Sequence, residues 1–419
     1  MSTRFFISAI PLFDSNMAVH AYNMMTHDGE KLLGSAEDFR MLGGELLAKG
    51  FELIKDIGVE PFAGSHDFFV EVSKYQLLIG IPLNMRIPPE KLVCVIRSET
   101  LFDNAAYAKL GILKRNGYRI ALSGLPVAIS LDTAIGFFDY IMLDYSSETF
   151  ASDMKTIRPF VLRTKLVITN VPDMADFERL AGSRNILLSG NFYSEPITRG
   201  VTEISPLKIN ALRLLGQINV EGFDLIEASS TIERDPALSI SLLRFLNMMN
   251  PDRSKRIDSI RRAVAILGQN EVKKWASIAI SIGVGEDRPS EITKLSLIRA
   301  KFAENLAPAF NMAHRTGALF IAGLFSLLDV ILQRPMYEAI EEVAAEDEIR
   351  NALIDKEGPL SDVLSLIFAY ERADWHNASI KMVRNDIDIE VLTQAFLDSL
   401  YWYRQLLDAI DNAGDWAEM

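Results

Sequence analysis

The feature that most constrains this chain is the alternation of short apolar runs with helical stretches through its N-terminal half. Several of these runs are apolar almost throughout, which is typical of parallel strands buried on both faces. Eight strands alternating with helices predict a (β/α)8 barrel, and a doubly wound open sheet is the structural alternative. The candidate strands are Phe5–Leu12, Val19–Met25, Phe68–Ser73, Leu92–Arg97, Arg119–Ser123, Tyr140–Asp144, Lys165–Asn170 and Ile186–Ser189.

The C-terminal half contains helical patterns only. Ser205-Pro206 and Asp235-Pro236 each pair an N-cap residue with proline at the first helical position. A later helix follows Asp258, and Gly268 is expected to end it. The fold class is therefore α/β plus all-α, with a barrel domain over residues 1–202 and an all-helical domain over residues 203–419.

Net charge and hydropathy argue against a nucleic-acid partner and against insertion into a membrane. The net charge of −13 argues against nucleic-acid binding, because phosphate backbones attract basic surfaces. The most apolar internal segment, residues 318–328, is shorter than the roughly 18 apolar residues that span a bilayer. The apolar run at residues 5–13 has only Arg4 as a nearby basic residue, so we interpret it as a strand and not as a signal peptide. We expect a cytoplasmic protein without membrane insertion.

Five segments of the barrel half stand out by their order and spacing: Ile10–Asp14, Val19–Tyr22, Gly117–Leu122, Tyr140–Asp144 and Gly190–Pro196. On these segments the barrel half resembles an EAL domain, the barrel that hydrolyses cyclic di-GMP. The resemblance covers about residues 4–200.

The resemblance also implies that the catalytic positions of that family are largely replaced here. The family uses two divalent metal ions to polarise the phosphodiester and activate a water. Asp144 alone keeps the family residue, and Glu71 stands where the family has an asparagine ligand. Too few carboxylates remain to hold two dications, so the resemblance implies an inactive barrel. The glutamate ligands fall at Asn23, Val95, Thr169 and Pro172, the paired aspartates at Ser123 and Gly124, the lysine at Met142, and a phosphate-binding arginine at His27.

Further segments carry a second resemblance, in the helical half: Ile232–Leu238, Leu242–Asn247, Ser259–Val264 with Leu267-Gly268, Lys274–Ser277, Gly323–Asp329 and Ala369–Trp375. On these segments the helical half resembles an HDOD domain, a helical relative of metal-dependent phosphohydrolases that lacks their metal ligands. The resemblance covers about residues 203–376, and the pairing of barrel and bundle recurs in a bacterial family described as YuxH-like.

The histidines do not suggest a metal site. The two His-Asp pairs, at residues 27–28 and 66–67, both lie in the barrel half, and the helical half has only His314 and His376. Isolated histidines far apart in the sequence do not make a metal site. We expect no metal and no cofactor in either half.

These observations favour a bacterial signalling adaptor or scaffold that is not an enzyme and acts through protein partners. Two rivals remain open: a cyclic di-GMP receptor that binds without hydrolysis, and a residual phosphodiesterase. The resemblance makes cyclic di-GMP the less favoured ligand, because an arginine binds phosphate better than His27 would. The sequence does not identify the partner, the input signal or the oligomeric state, and a homo-oligomer remains open.

Two surface features are candidates for partner contact. Arg261 and Arg262 lie near Arg253, Lys255 and Arg256 and form a basic patch, which is either a solvated face or a contact for an acidic partner. In the segment 396–416, the residues Phe396, Leu400, Tyr403 and Leu407 are spaced as one core-facing helix stripe. Tyr401 and Trp402 lie off that stripe, so we expect one of them to contact a second subunit or another protein.

Overall fold

In the computed structural model, eight strands of the N-terminal half close into a barrel in sequence order. The structure describes residues 5–28, 59–79, 88–126, 130–182, 185–195, 222–233, 259–284 and 290–411, with isolated positions between 214 and 246. The barrel prediction is confirmed, and the open-sheet alternative is wrong. The strands are β1 (Phe5–Phe13), β2 (Val19–Asp28), β3 (Asp67–Glu71), β4 (Leu92–Arg97), β5 (Arg119–Ser123), β6 (Tyr140–Asp144), β7 (Lys165–Val171) and β8 (Ile186–Gly190).

Strand β1 differs from the others because it runs antiparallel to both of its neighbours, β2 and β8. The turn from β1 to β2 is short, and Asp14 Oδ1 accepts hydrogen bonds there from the N–H groups of Asn16 (2.8 Å) and Ala18 (3.0 Å). Parallel pairing needs a crossover of about a dozen residues, so this connection can only reverse the chain. The remaining neighbours in the barrel pair in parallel.

Two apolar layers stabilise the barrel. The outer layer packs strand residues such as Ile141 and Leu166 against Ile157 and Phe177 of the surrounding helices. The inner layer fills the barrel, so its lumen is a packed core and not a channel. Its members are Leu12, Ala21, Phe69, Val93, Val95, Ala121, Tyr140, Met142, Val167 and Leu187.

Short helices alternate with the parallel strands. The clearest N-terminus is that of α3, where Asp103 Oδ1 accepts from the N–H groups of Ala105 (2.9 Å) and Ala106 (3.0 Å). This cap satisfies two amides that have no partner inside the helix. The barrel helices are α1 (Glu60–Ala63), α2 (Lys74–Ile79), α3 (Asn104–Arg115), α4 (Leu131–Phe137), α5 (Phe150–Ile157) and α6 (Met174–Leu180).

The described part of the C-terminal half is helical, as predicted. Gly268 interrupts α8 with φ of 73°, so the expected helix end at that glycine is confirmed as a break between two helical segments. Among the described residues, no helix is long and apolar enough to cross a membrane. The helices are α7 (Leu225–Glu233), α8 (Ile260–Val284), α9 (Ser290–Leu306), α10 (Thr316–Phe325), α11 (Leu328–Leu332), α12 (Met336–Glu342), α13 (Asp347–Arg350), α14 (Pro359–Glu371), α15 (Trp375–Arg384) and α16 (Ile389–Asp411).

The chain divides into two compact units. One comprises residues 1–195 with residues 369–384, and the other comprises residues 196–368 with residues 385–419. The predicted boundary between residues 202 and 203 lies outside the described residues and stays a prediction. Sequence reasoning did not foresee that residues 369–384 group with the barrel.

Candidate functional site

The candidate site is the barrel mouth, where the parallel strands end. Side chains alternate along a strand, so the residue two positions after each inner-layer residue also faces inward. One such residue lies at or near the C-terminal end of each strand from β3 to β8, and another lies in the middle of β2. Together they form a polar ring above the apolar interior. We call this set the mouth ring: Asn23, Glu71, Arg97, Ser123, Asp144, Thr169 and Ser189.

Two positions at which the EAL resemblance implies catalytic residues lie below the mouth ring, in the apolar interior. Val95 is 5% exposed and Met142 is 6% exposed, and both belong to the inner layer with Phe69, Ala121 and Val167. A valine side chain has no donor atom, and a methionine thioether is a soft ligand that suits neither Mg²⁺ nor Mn²⁺. These two positions contribute packing to the barrel.

Glu71 is engaged by Arg97, the last residue of β4. The guanidinium donates from Nε to Glu71 Oε1 and from Nη2 to Oε2 at 3.3 Å. Partial burial lowers the pKa of Arg97, but the hydrogen bond and the charge of Glu71 outweigh it and the pKa is raised. Any metal ion on Glu71 would have to displace a bound guanidinium.

Arg97 is the mouth residue that sequence reasoning missed. It stands two positions after Val95, so it faces inward, and the register pairs Glu71 with Val95 on the adjacent strand. These two facts bring Arg97 beside Glu71. The signal was available in the sequence as a basic residue ending a buried strand.

Asp144 organises the other side of the mouth. Its Oδ1 accepts hydrogen bonds from Ser146 N (2.9 Å), Ser146 Oγ (2.7 Å) and Asn170 Nδ2 (2.9 Å). Asn170 lies in a bulge of β7 with φ of 59°, and Thr169 Oγ1 donates to the Leu143 carbonyl at 3.5 Å. Asp144, the one carboxylate that matches the EAL resemblance, thus holds the loop after β6 and the bulge of β7 in place through these hydrogen bonds.

The remaining family positions supply little further donor chemistry. Asn23 Nδ2 contacts Met25 Sδ at 3.6 Å. Gly124 has φ of 82° and donates its N–H to the Met142 carbonyl at 2.9 Å. Pro172 is exposed after β7, and the side chain of His27 lies outside the described residues.

The mouth does not fit a pair of divalent metal ions. Such a pair wants several converging carboxylates. The mouth ring has two, of which one is paired with Arg97 and the other holds three hydrogen bonds on one oxygen. No group of three histidine, cysteine, aspartate or glutamate residues that could hold a metal occurs within the described ranges.

Residues 204–358 match the family model of the HDOD domain. The chain contains an HDOD domain. It is similar along nearly its whole length to YuxH, an uncharacterized protein of Bacillus subtilis (strain 168), with 27% identity over 416 residues that cover 97% of this chain and 100% of YuxH. It is likewise similar to the cyclic di-GMP phosphodiesterase CdgJ of Vibrio cholerae serotype O1 (strain ATCC 39315 / El Tor Inaba N16961), with 24% identity over 406 residues that cover 96% of this chain and 93% of CdgJ.

Solved EAL domains are similar to a little under half of this chain. The match to the FimX EAL domain from Pseudomonas aeruginosa bound to c-di-GMP covers 46% of this chain and 90% of the FimX chain, with 15% identity and a TM-score of 0.36. The closed barrel and the HDOD match together give an eight-stranded barrel followed by an HDOD domain.

The basic patch at the start of α8 in the HDOD domain is only partly described. Arg261 Nε lies 3.4 Å from Glu233 Oε1 of α7, and both Arg261 and Arg262 are exposed. The other three basic residues of the patch, at positions 253, 255 and 256, lie outside the described residues. Its role as a contact for an acidic partner stays a prediction.

The aromatic pair after the HDOD match occupies two different environments. Trp402 meets Phe320 of α10 edge to face at 5.9 Å, and Lys301 Nζ lies 5.9 Å from its ring. Tyr401 is 40% exposed on a helix face where Gln394 Nε2 donates to Asp398 Oδ1 at 2.8 Å. Of the two candidates, Tyr401 is the one whose side chain is available to a partner.

The predicted core stripe of α16 needs one correction. Phe396 and Leu400 are buried as expected, but Leu406 is buried in place of Leu407, which is exposed. Tyr403 is also only half-buried, so the packed face of α16 turns away from the predicted stripe over its last turns.

We expect substitution of the two aromatics to have separate effects. Trp402→Ser should lower the free energy of unfolding by about 2 kcal/mol, because it removes a packed aromatic side chain. Tyr401→Ser should change it by less than about 0.5 kcal/mol, as usual for an exposed side chain, while weakening association. Denaturant unfolding and sedimentation at matched protein concentrations measure the two quantities. A strong loss of stability in Tyr401→Ser would place that residue in the core and contradict its assignment.

Proposed function

We propose that this protein is a non-catalytic bacterial signalling adaptor, in which an inactive EAL-like barrel is joined to an HDOD domain that acts as the output module. It works through contacts with protein partners. The observation that carries the proposal is the pairing of Glu71 with Arg97 in the mouth ring. In addition, Val95 stands where the resemblance implies a metal ligand and Met142 where it implies a lysine, and both are buried in the apolar interior.

The chemistry of phosphodiester cleavage supports this proposal. Attack on a phosphodiester needs a metal-activated water and stabilisation of charge on the leaving oxygen. A guanidinium held by Glu71 provides neither a water-derived nucleophile nor a metal. Losing even an outer-shell partner of a metal ligand typically reduces metal affinity or activity about 10–100-fold. Several replacements at one mouth therefore favour a barrel without turnover.

The similarity to CdgJ favours a second candidate function. CdgJ is a cyclic di-GMP phosphodiesterase. By analogy, the barrel mouth of this chain would bind cyclic di-GMP, with or without hydrolysing it. The Arg97 guanidinium is a phosphate-binding group, but it is already engaged by a carboxylate. Nucleotide binding at the mouth would therefore require a rearranged ion pair.

Two measurements on the purified full chain separate the candidates. Isothermal calorimetry with cyclic di-GMP reports binding, and chromatography of the reaction mixture with Mg²⁺ or Mn²⁺ reports cleavage. The adaptor proposal expects neither heat nor product. Heat without product would make the protein a receptor, and product would make it a phosphodiesterase.

A further inference from the structure

One side of strand β1 pairs with β8 near Phe13 only, as far as the described residues show. In an antiparallel pair, the N–H and C=O of one residue point to the same side, and this side alternates along the strand. In the described residues, β8 pairs with β1 only at Phe13, where it faces Leu188. The backbone of Ile7 is therefore beyond the reach of that pairing.

The hydroxyl of Tyr370 satisfies both groups of Ile7. Tyr370 Oη donates to the Ile7 carbonyl at 2.6 Å, and it accepts from the Ile7 N–H at 3.3 Å. Both Ile7 and Tyr370 are fully buried. The Tyr370 hydroxyl thus supplies both the donor and the acceptor that a neighbouring strand would supply to the backbone of Ile7.

Aromatic packing extends the contact. The Phe6 ring stacks on the Trp375 ring with centroids 5.1 Å apart and planes within 6°. Tyr370 meets Phe6 at 6.0 Å and Trp375 at 5.5 Å, both nearly edge to face. Ring pairs at these distances add stabilisation beyond the area that they bury.

The turn between α14 and α15 brings Tyr370 and Trp375 close together. Ala373 has φ of 55°, Ala373 N donates to the Tyr370 carbonyl at 3.0 Å, and Asp374 N donates to the Ala369 carbonyl at 2.9 Å. This is the hydrogen-bond pattern of a Schellman turn, which ends α14. Helix α15 begins directly afterwards, so Trp375 comes back beside Tyr370.

We infer that the side of β1 that faces Tyr370 is an interaction surface whose resident occupant is the segment 369–384 of the same chain. No helix joins β1 to β2, and this segment belongs to the same compact unit as the barrel. An uncovered strand edge is a template for pairing with other chains. The segment therefore protects β1 from pairing with a strand of another chain. It belongs to the barrel unit although more than 170 residues separate it from the rest of that unit in the sequence.

Hydrogen exchange of the full chain, resolved to single residues, tests this inference. Tyr370→Phe removes only the hydroxyl and should speed exchange of the Ile7 amide about tenfold, since that amide loses its acceptor. Trp375→Ala should speed exchange across β1. Tyr337→Phe is the matched control, because it removes an exposed hydroxyl in the other unit and should leave β1 unchanged.

Two results would overturn the inference. The first is Ile7 exchange in Tyr370→Phe equal to that of the unmodified chain, which would mean that the segment does not protect the edge. The second is protection of Ile7 that rises with protein concentration, which would mean that a second copy supplies the occupant. Exchange in α9 and α10 reports whether a variant remains folded, and Tyr370→Phe decides the question if Trp375→Ala does not fold.

Discussion

Replacing Gly190 with alanine should destabilise the barrel by about 3 kcal/mol, near the upper end for forced overpacking. A Cβ at Gly190 would clash with the Val171 carbonyl oxygen and lie 2.7 Å from the Val171 nitrogen. Both contacts are with backbone atoms of β7, just after the bulge at Asn170, so no flexible side chain can move aside. Strands β7 and β8 would have to separate at the mouth.

Gly136→Ala is the matched control in the same barrel. Gly136 lies in α4 with nothing near the position of an added Cβ, so alanine there should be neutral or stabilise by up to about 1 kcal/mol. Urea unfolding followed by circular dichroism measures both variants, and the step that reports the barrel is the one to compare. Equal stability of Gly190→Ala and the unmodified chain would mean that β7 and β8 do not approach so closely.

Replacing Gly323 with alanine should have a comparable effect on the helical unit, about 3 kcal/mol. Helix α10 crosses α9 at this glycine, and a Cβ would lie 2.7 Å from the Arg299 carbonyl oxygen and 2.8 Å from Ala300 Cα. Ser296 Oγ donates to the Leu324 carbonyl at 2.7 Å beside the crossing, so the two helices are also joined by a buried hydrogen bond. Separating them would strain that bond.

Gly317→Ala tests the same substitution in the same helix. Nothing lies near a Cβ at Gly317, so this variant should match or exceed the stability of the unmodified chain. Urea midpoints of the two variants give the comparison directly. If both alanines were tolerated equally, the helices would not be in contact at Gly323, and the account of this crossing would be wrong.

Much of the fold was predictable because the strands carry a strong local signal. Runs such as Leu92–Arg97 and Tyr140–Asp144 are buried on both faces, and their apolar residues identify them without tertiary information. Gly268 was predictable as a helix break for an equally local reason. The antiparallel direction of β1 was missed, although the short polar turn after Phe13 contained the signal.

The contents of the mouth were predictable only in part. Counting from the inner-layer residues gives Asn23, Glu71, Ser123 and Asp144 as mouth residues, because strand alternation is a fixed period. The pairing of Glu71 with Arg97 depends on the register between two strands, which a single sequence does not fix. The grouping of Tyr370 with Ile7 joins residues 363 positions apart and has no local signature.

The central claim is that the barrel does not cleave cyclic di-GMP, and product formation by the purified full chain tests it most directly. The reaction contains the nucleotide and saturating Mn²⁺, with CdgJ as the positive control and buffer as the blank. We predict that the chain gives no more product than the blank while CdgJ gives complete conversion. Product above the blank that disappears in Glu71→Ala and Asp144→Ala would contradict the account, because cleavage would then depend on the mouth.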